Sequence, residues 1–270
     1  MNELIKDFIV YKRLGLRECL KLPREWRKIA WFYYARYRKK AQKETPPGFN
    51  VLIIGILQAV VSKDRSFIDK AIELVDGNVR QDSIMCLTGS ALCDIGHYEE
   101  GIRSLRKAVE LEPTLVNMVA LAGALEKAEE YSEKLELSNR ILEKAPNNLD
   151  GLQFKAYVLA KRGNLDEAEG LARKALRISP KNSYAKEVLG EILFRQERYE
   201  EALKMFRGSF DFPDNFGHLW HRIAHCHFEL GKFKKAQKAA KRMLKAAKKE
   251  GDDMNTPEMK AFLEKLGVDV

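Results

Sequence analysis

The 270-residue chain carries 48 Lys/Arg against 39 Asp/Glu, with 45% hydrophobic and 32% charged residues; this is the balance of a folded protein and excludes a long disordered or low-complexity one. Its four cysteines, Cys19, Cys86, Cys93 and Cys226, are scattered, which excludes a paired extracellular framework and any Cys-x-x-Cys metal or redox motif and points to a reducing compartment. The longest apolar run, Val51 to Val61, is interrupted by Gly55 and Gln58 and is too short to span a bilayer. Lys6, Asp7, Lys12 and Arg13 break up any signal-peptide core, so the expected location is the cytoplasm.

The net charge of +9 sits at one end. Residues 1–43 hold 13 Lys/Arg against 4 Asp/Glu, so the remainder of the chain is neutral. Within residues 1–47, Trp26, Ile29, Ala30, Tyr33 and Tyr37 recur at helical spacing, and Trp31, Phe32 and Tyr34 widen that apolar face. Arg27, Lys28, Arg36, Arg38, Lys39 and Lys40 surround it, and Pro46-Pro47-Gly48 punctuates its end. Four readings of this basic aromatic segment stand side by side: aromatics packed on the body of the protein, a helix lying on an anionic membrane surface, nucleic-acid binding through stacking aromatics and cations, or a contact with a partner protein. The segment has no nucleic-acid recognition motif.

Residues 48–81 read as a degenerate helix pair or cap, Phe49 to Val61 and Ser66 to Val75, with Gly55 and Ala71 as small residues where helices would touch. From residue 82 to 248 a period appears. Prolines at 113, 146, 180 and 213 recur at spacings of 33, 34 and 33. Between them lie Gly96-His97-Tyr98 with Leu105 and Ala108, then Tyr131 with Ile141, then Gly163-Asn164-Leu165 with Ala168, Ala172 and Ala175. Tyr199 with Ala202 and Phe206, and Gly231-Lys232-Phe233 with Ala236 and Ala240, continue the series. The preceding half of each unit has its own signature: Gly89 and Leu92, Ala122 and Leu125, Ala156 and Leu159, Gly190 and Leu193, Ala224 and His227. Residues 249–270 end in a predicted capping helix, Thr256 to Leu266, with Pro257 at the first helical position and Gly267 just past the end.

This pattern of small and large residues, closed by proline, resembles the tetratricopeptide repeat family in five copies over residues 82–248. The resemblance implies an all-α fold, a right-handed α-solenoid of helix pairs in which the first helix of each pair lines a concave groove. It also implies the ligand-facing register, which places Ser90, Tyr157, Glu187, Glu191, His218, His221 and His225 in that groove as the candidate partner-binding residues. The family's chaperone-tail clamp of Lys and Asn is not matched, since Cys86, Ser90, Ala120, Asp150 and Phe154 occupy the corresponding slots.

Four of the five histidines lie between positions 218 and 227, and His218, His221 and His225 share one helical face. Two readings follow: amphipathic contacts for a peptide, or a metal site built on His221 and His225 with Glu187 and Glu191. No phosphate loop, metalloprotease helix or nucleophile triad is present, and neither a catalytic residue nor a cofactor is expected. The function expected is that of a non-catalytic adaptor or assembly scaffold holding a partner peptide or helix in the groove. The alternatives are a peripheral membrane tether through the basic segment and a metal-binding protein.

Overall fold

The computed structural model describes residues 56, 59, 63–74, 79–209, 217–250 and 257–268. The basic aromatic segment with Trp26, Trp31 and its arginines and lysines, and most of the expected helix Phe49 to Val61, lie outside the described residues.

Turn chemistry sets the architecture. Helices α1 (Ser66–Leu74), α2 (Gln81–Asp94), α3 (Tyr98–Leu111), α4 (Leu115–Lys127), α5 (Tyr131–Lys144) and α6 (Leu149–Lys161) follow one another through short connections. The series continues with α7 (Leu165–Ile178), α8 (Ser183–Arg195), α9 (Tyr199–Gly208), α10 (Gly217–Glu229), α11 (Phe233–Glu250) and α12 (Pro257–Lys265). Among the described residues there is no strand.

Two residues past each first helix of these pairs the backbone is left-handed: Gly96 (φ 94°), Glu129 (58°), Gly163 (87°), Glu197 (62°) and Gly231 (67°). Glycine meets this conformation without steric cost, whereas the two glutamates bear it with a Cβ. The reversal is immediate, so each pair forms an antiparallel αα-hairpin. The second helices α3, α5 and α7 stop just before Pro113, Pro146 and Pro180, which cannot continue them. The next helix then starts on a side-chain cap: Thr114 accepts from the Asn117 amide, Asn148 from Gly151 and Asn182 from Ala185.

The chain divides into two compact units between Leu137 and Ser138, within α5. In the first unit α2 packs on α3, and α4 packs on both. Close approach is set by Gly89 and Gly101, since a Cβ on either would lie 2.7 Å from the other's carbonyl oxygen. Asn117 is buried at the α3–α4 corner and its Nδ2 donates to the Ala108 and Glu112 carbonyls and to Asp82 Oδ2. A second core joins Ile56, Ala59, Ile68 and Ala71 to Leu87, Ala91 and Leu92.

In the second unit the pairs α6–α7, α8–α9 and α10–α11 pack in succession, with α8 against both α6 and α7 and α10 against α9. Their core runs from Ala156 and Leu159 through Val188, Ile192 and Phe206 to Ile223, Ala240 and Met243. Gly190 lets the Phe206 ring lie against the α8 backbone. The core ends on α12, whose Met259, Phe262 and Leu263, with Leu266 just past its end, are buried against α10 and α11. One apolar face of α12 is thereby removed from water, as its 3–4 spacing anticipates.

Candidate partner-binding face

Six of the seven expected groove residues belong to the second unit, on α6, α8 and α10; Ser90 lies on α2 in the first unit. The Ser90 hydroxyl donates back to the Cys86 carbonyl four residues earlier, at 2.9 Å, so its hydrogen is committed within its own helix.

Tyr157 on α6 is half-buried, its ring beside the main core and 5.4 Å beneath the Lys161 ammonium. Tyr184, at the start of α8, stands edge-on to Phe154 of α6 at 6.4 Å between ring centroids. One turn along α8, Glu187 lies 3.3 Å from His218 Nε2 on α10. Glu191, a further turn on, accepts from Arg195 Nε at 2.9 Å on its own helix and from Arg222 on α10, the closest approach being 2.8 Å at Nε. The side chain of Glu191 is 14% exposed and is held between two guanidiniums. The Arg222 guanidinium also lies 5.4 Å from the Phe194 ring centre. The face is therefore aromatic with alternating charges, and Glu187 rather than Glu191 is the carboxylate that keeps appreciable exposure, at 35%.

The histidine face divides. His218 is exposed, at 58%. His221 and His225 instead form the seat of α12: the Phe262 ring stacks on His225 at 3.6 Å and 9° and meets His221 edge-on at 5.8 Å. The two imidazoles touch at 4.5 Å, edge to face. Burial, then the neighbouring His225 and Arg222, pushes His221 down to about 4. Burial, then Arg222 and Lys265, does the same to His225. Neutral rings suit an aromatic stack, because a charged one would be desolvated beneath Phe262.

Among the described residues no group of three or more His, Cys, Asp or Glu is arranged to hold a metal ion. Cys93 and Cys226 are pushed up by burial to about 11 and about 12, which leaves both as protonated thiols rather than nucleophiles. Sequence reasoning missed Arg222 and Phe262. Arg222 sits one residue off the histidine stripe, and Phe262 enters from a helix whose seat no local pattern specifies.

The fold defines a helical-repeat protein, and the first helices α6, α8 and α10 of its second unit share an aromatic face with alternating charges. The tetratricopeptide repeat model matches residues 83–115 and 217–250, and the model described as anaphase-promoting complex, cyclosome, subunit 3 matches residues 127–209. A TPR repeat-containing protein of Methanocaldococcus jannaschii is 34% identical over 43% of this chain and 21% of its own length. The mouse interferon-induced protein with tetratricopeptide repeats 3 is 34% identical over 43% of this chain and 29% of its own. This chain thus spans less than a third of either relative. Among solved structures, a tetratricopeptide repeat protein of Parabacteroides merdae superposes with a TM-score of 0.59 at 16% identity, covering 82% of this chain and all of that one. A thermophilic TPR protein of Thermus thermophilus gives 0.56 at 15% identity, covering 68% of this chain and 98% of its own. These two likenesses concern the fold alone. The chain belongs to the tetratricopeptide repeat family. Among the described residues no helix is long and apolar enough to cross a membrane.

Proposed function

We propose that the protein is a non-catalytic adaptor whose second unit holds a partner's peptide or helix on the face formed by α6, α8 and α10. Proteins of this family generally mediate protein–protein interactions. The observation that carries the more specific reading is the seating of α12. That short amphipathic helix lies on the face of α10 that bears the histidine stripe, with Phe262 stacked on His225. The same helix faces continue into Tyr157, Tyr184, Glu187 and Phe194, half-buried side chains whose rings supply apolar area while the two tyrosines and the glutamate supply hydrogen-bonding tips. A partner helix bearing an aromatic anchor and a cation opposite Glu187 fits this chemistry.

The test is site-specific photocrosslinking from positions 157 and 187, with position 178, an exposed isoleucine on α7, as the control. The partner segment recovered from the first two positions should lose at least tenfold in affinity for a Tyr157→Ala/Glu187→Ala/His218→Ala variant of unchanged helicity. Capture from position 178 alone, or undiminished binding by the triple variant, rejects this assignment.

A further inference from the structure

We propose that the outer face of α11 is a second docking surface, one that takes an acidic α-helix of a partner protein. Between Leu230 and Lys249 the chain has nine Lys/Arg and no Asp or Glu. Five of them, Lys234, Lys238, Lys241, Lys245 and Lys248, follow the i, i+4, i+7, i+11, i+14 rule of a single stripe, and all five are exposed. At about 100° per residue they fall within an arc of about 80°. The buried residues Ala236, Ala239, Ala240, Met243, Ala246 and Ala247 are centred on the opposite side of the helix. The stripe is thus held outward by a packed core and is not a frayed run of lysines.

Among the described residues, internal pairing does not consume these charges. Off the stripe, Lys232 just before α11 reaches Glu200 at 3.5 Å, and Arg242 lies 4.7 Å over the Trp220 ring. None of the five stripe lysines makes an ion pair with another described residue. Like charges crowded on one face repel, and a complementary surface relieves that repulsion.

Geometry selects among polyanions. A rise of about 1.5 Å per residue places successive lysines alternately about 6 and 4.5 Å apart along the axis, over about 21 Å. A second α-helix with glutamates at the same positions has the same repeat and aligns along the whole stripe. The phosphates of duplex DNA recur about every 3.4 Å of axis on each strand and do not share this register. A bilayer would need an apolar wedge, and the apolar residues of α11 are already spent on the core except Phe233 at its first residue, 57% exposed. Single exposed ion pairs contribute little, so affinity here depends on five in register.

The experiment uses the full chain and a helical peptide carrying glutamates at i, i+4, i+7, i+11 and i+14, beside a permuted peptide of identical composition with its glutamates spread around the helix. At low salt the striped peptide should bind at least tenfold more tightly than the permuted one. The variant Lys238→Glu/Lys241→Glu/Lys245→Glu, whose changed side chains are all exposed, should lose that binding and instead gain affinity for a lysine-striped peptide. The Tyr157→Ala/Glu187→Ala/His218→Ala variant should bind the acidic peptide as the wild type does, which separates this surface from the face on α6, α8 and α10. Equal affinity for the two acidic peptides overturns the proposal. So does tighter binding of duplex DNA or phosphatidylserine vesicles through the same lysines, or retention of striped-peptide binding by the charge-reversed variant.

Discussion

Replacing His221 and His225 together with glutamine removes two groups whose protonation the folded chain resists. Burial lowers both imidazoles from 6.5 to about 4. At about 1.4 kcal/mol per pKa unit, that difference amounts to about 3 kcal/mol per ring, an upper bound because both rings keep an edge to solvent and titrate as a pair. The unfolded chain takes up these protons near pH 6.5, whereas the folded one refuses them until about pH 4. Stability intact above pH 6.5 is therefore lost progressively as the pH falls toward 4. His227, lowered by burial and then by Arg207, adds a contribution of the same sign that the variant keeps. Carboxylates act lower on the scale. Burial alone would raise Asp82 and Glu169, but hydrogen bonds from Asn117 and Arg80 to the first, and from Arg173, Gln196 and Arg198 to the second, hold both below their usual values. Their contribution is lost only as the pH drops through about 4 and below. Urea unfolding followed by helical circular dichroism between pH 7 and 4.5 should therefore show a steep wild-type loss and a much flatter double variant. Imidazole proton resonances provide the direct check, and Phe262→Ala, which uncovers the rings, should return both toward 6.5. Equal slopes in wild type and double variant, or two imidazoles titrating near 6.5 in the wild type, would refute the reasoning.

Asn117→Ala leaves the Ala108 and Glu112 carbonyls with only their backbone donors, the Glu112 and Thr114 amides, and removes a donor to Asp82, and should cost about 1–2 kcal/mol by urea titration. Gly190→Ala places a Cβ 2.7 Å from the Phe206 ring and should destabilise by about 1–3 kcal/mol. Gly170→Ala, mid-helix in α7 with nothing within 4 Å, should instead stabilise by about 0.5–1 kcal/mol in the same assay. Glu197→Gly relieves a left-handed residue at φ 62° and should raise the unfolding midpoint, the gain being about 0.5–1 kcal/mol, while the same change at an ordinary helical glutamate lowers it.

The helix pairs were legible because their punctuation is local: Gly96, Gly163 and Gly231 announce the reversal, and Pro113, Pro146 and Pro180 the stop. Glu129 and Glu197 occupy the same turns without announcing them, since local sequence gives no sign that a glutamate will adopt positive φ. The amphipathic spacing and the flanking Pro257 and Gly267 marked α12 as a helix, but its seat on His221 and His225 depends on contacts about forty residues apart, which periodicity does not encode. For the same reason those two histidines read as an open stripe with His218. Glu191 looked available to a ligand. Its bond to Arg195 follows the i, i+4 rule and was readable, whereas the clasp by Arg222 needs the packing of α8 on α10.

Whether α6, α8 and α10 carry the partner-binding face is tested most directly by hydrogen–deuterium exchange of the full chain with and without the crosslinked partner segment. Such a face predicts slowed exchange in Leu149–Lys161, Ser183–Arg195 and Gly217–Glu229, with α7 and α9 unchanged. Protection confined to other helices, while those three exchange at their free rates, would contradict it.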